Sequence, residues 1–359
     1  LAVRSDSRPQ QVGITFGLAA AITFGASTPF AKRLLDDVTP QLLAGLLYLG
    51  AFGVLFTVVI SRRVSNETPL RREDAPQLAA VILSGGVLAP VLLLVGLERV
   101  SGASGSLLLN LEGPFTVLIG IMVFREHLGR FGIAGAAAVF VGAMVLSLGS
   151  ARGSTDIVGV ACVVGACALW GVDNNLTQSL TLRDPWQIVT AKAGVAGTVN
   201  VVLALVVGDT LPGAGVVIAA CVLGAISYGL SVVFDAYALR FLGAAREAVI
   251  FASAPFVGAL LAVPVLSETL GWREVLAGAV MAVGITLMVR ERHDHSHEHA
   301  AFTHEHVHIH DAHHQHEHPA GIDPKEPHSH VHEHEPLVHA HPHVSDLHHR
   351  HSHGSDHHG

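Results

Sequence analysis

Charge is scarce in this chain. Lys, Arg, Asp and Glu make up 14% of its 359 residues, where a soluble domain carries about 25%. Histidine is nearly missing from residues 1–292, which hold only His127. Cysteine is rare: Cys162, Cys167 and Cys221 all fall in apolar stretches, and their spacing matches neither a disulfide framework nor a zinc knuckle. The formal net charge is −8, with 21 Lys and Arg against 29 Asp and Glu. These shortages exclude a soluble enzyme of uniform composition and a basic nucleic-acid binder.

What is present divides at residue 292. The segment from His293 holds 25 of the 26 histidines, and eleven Asp or Glu face only Lys325 and Arg350. That gives the segment a charge of −9 with neutral histidines and leaves about +1 on the rest. An apolar membrane body is therefore joined to a polar, histidine-rich tail.

A helix needs about 20 mostly apolar residues to cross a hydrocarbon core about 30 Å thick. Ten such stretches occur, near 11–31, 39–61, 76–97, 101–124, 131–150, 157–176, 186–208, 213–235, 246–267 and 272–289. The loops between them are too short for a folded soluble domain. The first stretch is too long, and wrongly flanked, for a cleaved signal peptide. Abundant glycine, 37 residues, suits helices whose backbones approach closely in lipid. The expected fold is an all-α membrane protein of ten helices with a disordered tail. Its parts are residues 1–10, a first five-helix unit 11–150, a second 151–292, and the tail 293–359.

Lys and Arg set the expected orientation. With the N-terminus inside, the cytoplasmic connections hold thirteen: Arg4, Arg8, Arg62, Arg63, Arg71, Arg72, Arg125, Arg130, Arg183, Arg240, Arg246, Arg290 and Arg292. The outer ones hold five: Lys32, Arg33, Arg99, Arg152 and Arg273. Both termini are expected in the cytoplasm of a cell bounded by an inner, cytoplasmic membrane.

The body is written twice. Arg99, Gly102, Ala103 and Pro114 recur 141 residues later as Arg240, Gly243, Ala244 and Pro255. Glu126-His127-Leu128-Gly129 recurs 142 residues later as Glu268-Thr269-Leu270-Gly271, and Gly142 as Gly284. Five segments per copy is an odd number, so the second copy enters the membrane inverted. Secondary transporters share this plan, with substrate held near the midplane between the halves.

The runs Leu109 to Thr116 (LNLEGPFT), Phe124-Arg125-Glu126, Ala252 to Phe256 (ASAPF) and Leu169 to Thr177 (LWGVDNNLT) resemble the EamA-type members of the drug/metabolite transporter superfamily. The resemblance covers residues 11–289 and none of the tail. It implies alternating access with a central pocket, and it leaves the substrate open among many small solutes.

Polar groups in apolar segments are costly and usually line a cavity or pair with one another. Asn110 and Glu112 precede the breaker Pro114, which frees backbone carbonyls nearby. Trp170, Asp173 and Asn174 lie late in the sixth segment and Gln178 just past it, Asn174 and Gln178 sharing a helix face. Lys192 follows in the seventh, and Tyr228, Ser231 and Asp235 in the eighth. These ten are the candidate pocket. Each also has a structural reading: Asp173 capping a helix or pairing with Lys192, Lys192 snorkelling to the interface, Asp235 ending a helix. Glu126 and Glu268 read as turn-shaping. Glu112 is the candidate proton-coupling group.

The tail alternates His with small or acidic residues. His293, His295, His297, His299, His304, His306, His308, His310, His313, His314, His316 and His318 are its candidate metal ligands, with further pairs at His348-His349 and His357-His358. Neutral imidazole suits Ni, Zn, Co or Cu ions. No other cofactor is required. Too apolar-poor to bury a core, the tail is expected to lack structure without metal.

The sequence thus points to a non-enzymatic secondary transporter of a small organic solute, with a cytoplasmic metal-binding tail. Two rivals stand beside it: a transporter, most simply an exporter, of a divalent metal or metal chelate, and a membrane-tethered metal store. The expected partners are membrane lipid, a small-molecule substrate and divalent metal ions, with no nucleic acid. Assembly as a homodimer is compatible with the sequence.

Overall fold

In hydrocarbon every backbone N–H and C=O must find a partner inside the protein, and the apolar stretches of the body do so as helices. The computed structural model describes residues 8–61, 68–124, 129–147, 156–178, 180, 183–242, 244–290, 293–299, 302–308, 328–334 and 337–343. The first half contains α1 (Arg8–Gly25), α2 (Ser27–Leu34), α3 (Pro40–Ser61), α4 (Ala75–Val81), α5 (Ala89–Arg99), α6 (Gly102–Leu108), α7 (Glu112–Phe124) and α8 (Arg130–Ser147). The second contains α9 (Ile157–Gln178), α10 (Pro185–Val207), α11 (Ala214–Gly224), α12 (Ser231–Leu242), α13 (Ala244–Phe251), α14 (Ala254–Leu266) and α15 (Trp272–Arg290).

Nine stretches among the described residues are long and apolar enough to cross a membrane, from Gln11–Leu34 to Glu247–Leu266. Their bounds lie within a few residues of the expected ones. The expected tenth falls on α15 and is not among the nine. Large apolar side chains such as Met122, Val206 and Val207 stand exposed on the outside of the bundle, as a lipid-facing surface requires.

The crossings are less regular than the sequence suggests. α4 and α5 are joined through a π-helical turn, Ile82–Leu88, and α11 and α12 through another, Ala225–Leu230. A 3-10 turn, Leu109–Leu111, separates α6 from α7, and a break at Ala252-Ser253 separates α13 from α14. These interruptions recur about one repeat apart, so the duplication extends to the irregularities.

The helix contacts obey the same symmetry. The second crossing packs on the seventh (α3 with α10), the fourth on the ninth (α6 with α14) and the fifth on the tenth segment (α8 with α15). The first meets the eighth (α1 with α12) and the third meets the sixth (α5 with α9), two pairings that exchange when the halves are swapped. Close approach of α8 and α15 needs glycine: a Cβ on Gly135 would sit 2.5 Å from the Gly284 carbonyl oxygen, and one on Gly284 2.7 Å from that of Gly135.

Polar clasps sort to two ends. At one end Arg183 pairs with Asp74 at 2.8 Å and Glu73 at 3.0 Å. At the other, Arg99 pairs with Asp156 at 2.9 Å, and the Lys32 ammonium donates to the carbonyls of Leu97 and Val100, closing α5. Asp156 also accepts from the Val158 amide at 2.8 Å. That amide first, and then Arg99, holds its carboxyl below the usual carboxylate range. Glu268 accepts from the amides of Gly102 at 2.7 Å and Ala103 at 3.0 Å, capping α6. This turn residue therefore has a cross-repeat role that its sequence setting does not disclose. Glu126 lies outside the described residues.

The tail differs from the expectation of no fixed structure. Four strands occur in it: β1 (His293–His299), β2 (Phe302–His308), β3 (His328–His334) and β4 (Leu337–His343). β1 pairs antiparallel with β4, and β2 with β3. The physical reason is the period: His at every second position is the repeat of a strand. The register sets His293, His295 and His297 opposite His343, His341 and His339, and His304, His306 and His308 opposite His332, His330 and His328. His310, His313, His314, His316 and His318 lie outside the described residues.

Candidate functional site

The first π turn organises the site. Ala89 donates back to Ser84, five residues earlier, and the next residue, Pro90, has no amide to give. Two carbonyls are left without a helical donor. That of Gly85 accepts from the Tyr48 hydroxyl at 2.9 Å and the Trp170 indole at 3.1 Å. That of Gly86 accepts from the Asn200 amide at 3.3 Å, and Asn200 is itself held by Gln41. A π turn places backbone oxygen where a regular helix would hide it.

Asp173 on α9 lies against this turn and is only 4% exposed. Its Oδ2 forms an ion pair with the Lys192 ammonium from α10, and its Oδ1 has no hydrogen-bond partner among the described residues. A side chain at residue 85 would overlap the Asp173 carboxyl, so the carboxyl fits only beside glycine.

Glu112 opens α7 and accepts from Asn174 at 2.9 Å. The same Asn174 amide reaches the Thr116 hydroxyl at 3.2 Å. Asn175 donates to the Thr116 carbonyl at 2.9 Å, a second tie between α7 and α9. These contacts join the two halves of the repeat.

The second π turn supplies Tyr228. Its ring stacks on Tyr48 with centroids 5.8 Å apart and meets Phe24 edge-on at 5.8 Å. Phe24 also packs on Phe251 at 5.2 Å. Between these groups is a cavity of about 270 Å³, lined by both halves. A larger hollow of about 700 Å³ lies between α3 and α10. It is walled by Phe52, Phe56, Val195 and similar side chains, with no ionisable group among the described residues that line it, so the chemistry belongs to the smaller cavity.

Six of the ten expected pocket residues meet at that cavity: Glu112, Trp170, Asp173, Asn174, Lys192 and Tyr228. The other four stand elsewhere. Asn110 is buried one turn away, donating to the Leu107 carbonyl at 3.0 Å and touching the Met281 sulfur. Ser231 faces α1, donating to the Ala20 carbonyl at 3.4 Å. Asp235 lies on α12, three residues past Val232 of the cavity wall, and Gln178 ends α9. Of the two structural readings of Asp173, pairing with Lys192 is the one the geometry has.

Tyr48, Phe24, Phe251 and the Gly85-Gly86 pair join the site without being among the residues expected from sequence. Tyr48 had a signal, being one of three tyrosines in the chain and set in an apolar run. The exposed carbonyls had a weaker one, Gly-Gly four residues before Pro90.

Comparison with protein families matches the EamA-like transporter family over residues 11–148 and 157–290. The two matches coincide with the two halves of the repeat. An uncharacterized transporter of Methanothermobacter thermautotrophicus is 27% identical over 295 residues, spanning 76% of this chain and 84% of that protein. A protein crystal structure superposes with a TM-score of 0.58 at 18% identity, covering 79% of this chain and 96% of the other. At that identity the likeness concerns the fold alone.

Proposed function

The chain belongs to the EamA-like transporter family, and from that premise we propose that it moves a small amine-bearing organic solute by alternating access between its two halves. It is a multi-pass membrane protein of a family of transporters rather than enzymes. The observation that supports this reading most is the composition of the cavity wall. Two carboxyls, Glu112 and Asp173, face one ammonium, Lys192. With all three ionised the wall has an excess negative charge, which suits a protonated amine. The rings of Tyr48, Trp170, Tyr228 and Phe24 offer π faces to the same cation and to an apolar substituent.

Free transition metals suit the cavity less well. Its polar donors are carboxylate and amide oxygens, one carboxylate is tied to Lys192, and softer metals prefer imidazole or thiolate.

The cycle follows from which contacts cross between halves. Glu112 to Asn174 and Asn175 to the Thr116 carbonyl both join α7 to α9. Rocking one half against the other breaks and re-forms contacts of this kind, exposing the cavity to each side in turn. The Arg-rich connections support a reading with both termini in the cytoplasm. The tail there acts as a metal buffer or sensor. Its strand register sets six pairs of histidines opposite one another, and neutral imidazoles at such spacing are suited to Ni²⁺, Zn²⁺, Co²⁺ or Cu²⁺.

The test is flux in sealed vesicles containing purified full-length protein. Radiolabelled amino acids and amines are offered beside radiolabelled nickel or zinc. Movement of an amine-bearing solute is the expected result. Movement of metal alone would replace this reading with metal transport.

A further inference from the structure

One turn along from the wall of the central cavity, two carboxyl groups meet. Asp235 on α12 and Glu247 on α13 lie within hydrogen-bonding reach of each other. Glu247 is 8% exposed, and its Oε1 is buried without a hydrogen-bond partner among the described residues. Two ionised carboxylates in contact in a low-dielectric setting repel strongly. A hydrogen bond between two carboxyls exists only when one of them keeps its proton.

The surroundings add no counter-charge among the described side chains. The elements packed on the pair are α1, α15 and the π turn Ala225–Leu230. Tyr228 in that turn bonds Ser27 and stacks on Tyr48. Tyr237 on α12 stacks on Phe16 at 5.2 Å. On α15, Arg273 lies over Trp272 at 5.3 Å and Glu274 accepts from Ser104 at 3.3 Å. The remaining ionisable groups of these elements, Arg8, Arg240, Arg246 and Arg290, have side chains outside the described set.

Position links the pair to the transport cavity. Val232, three residues before Asp235, and Phe251, four after Glu247, both line that cavity. Residues three and four apart share a helix face. The two carboxyls therefore continue the cavity wall by one turn, on the helices that pack against α1 near the end of the bundle where the chain enters.

We propose that Asp235 and Glu247 form a proton-binding pair that couples movement of solute through the cavity to movement of protons. One proton is held between the two carboxyls. It leaves when the pair is opened to water, and both groups then ionise and separate. The proton returns from water on the other face of the cycle. No further reactant is needed. The coupling rests on the transport reading above; the proton site rests on the carboxyl pair itself.

Infrared spectroscopy of the purified full chain in lipid reads the proton directly. A protonated carboxyl has a C=O stretching band, shifted by deuterium, that an ionised one lacks. Wild type is expected to show this band at neutral pH. Asp235→Asn and Glu247→Gln should each lose one carboxyl's worth of it, because the remaining carboxylate can accept from the new amide without a proton. Glu247→Asp, which keeps a second carboxyl, should retain the band. Melting temperature and size-exclusion profile report folding of each variant. An unchanged band in both amide variants overturns the proposal, as does a wild-type band that sodium removes at fixed pH.

The coupling is read in vesicles with an imposed pH gradient and the same labelled amine pool. Flux through wild type should rise with the gradient, and Glu247→Gln should flatten that response. A Glu247→Gln protein that follows the gradient as wild type does overturns the coupling. If wild type moves no solute while the infrared band behaves as stated, the transport reading falls and the proton site stands.

Discussion

The carboxylate of Asp173 and the ammonium of Lys192 form a buried ion pair between α9 and α10, against the backbone of Gly85. The side chains are 6% and 18% exposed, so each charge relies mainly on the other for compensation. Breaking such a pair from one side leaves an uncompensated charge, at a cost of about 3–5 kcal/mol. Lys192→Ala should lower thermal stability by that order. A double variant, Asp173→Leu with Lys192→Met, should lose much less than the two single changes together. Thermal unfolding in detergent checks both.

Gly85 should not tolerate a side chain. Its Cβ would overlap the Asp173 carboxyl, and the overpacking costs about 1–3 kcal/mol. Gly85→Ala should therefore lower stability and weaken solute binding together, whereas Gly213→Ala, whose Cβ would meet nothing, should do neither. Melting curves and equilibrium binding of the labelled amine pool separate the two outcomes.

Glu268 closes the N-terminus of α6 from the other half of the molecule. Replacing a capping side chain costs about 0.5–2 kcal/mol. Glu268→Ala should fall in that range, and Glu268→Gln, which keeps an acceptor for only one of the two amides, should lie between it and wild type. Chemical or thermal unfolding gives the order.

Removal of residues 293–359 should abolish high-stoichiometry metal binding and leave solute flux in place. In the intact chain, metal affinity should fall as pH drops through the imidazole pKa, about 6.5, since a protonated imidazole cannot ligate. Equilibrium dialysis against nickel or zinc across that range checks the sign. Lost solute flux in the truncated protein would show that the tail does more than hold metal.

How much of this was legible in the sequence depends on the scale of the feature. Nine of the ten expected crossings were legible to within a few residues because hydrophobic length is a one-dimensional property. The duplication was legible from Arg99, Gly102, Ala103 and Pro114 and their copies, and both the helix pairings and the family matches follow it. Six pocket residues were legible because a charge or amide in an apolar run stands out. What was hidden depends on contacts between distant segments. Tyr48 serves the site through the Gly85 carbonyl, which only the π turn and Pro90 release. Glu268 reads as part of a turn until α6 is beside it. Glu247 begins an apolar crossing next to Arg246, and only the fold brings Asp235 beside it. In the tail, the alternation of histidine marks a polar composition, and its period of two is also that of the strands it forms.

The central claim is that solute passes through the cavity at the junction of Glu112 on α7 and Asn174 on α9. Counterflow of labelled amines in vesicles, comparing wild type with Glu112→Gln and Asn174→Ala, tests it most directly. The account predicts flux in wild type and a loss of about tenfold or more in each variant, the scale of one hydrogen bond to a charged group at about 1.5–3 kcal/mol. Variants that fold and move the solute as fast as wild type, or a wild type that moves only metal, would contradict it.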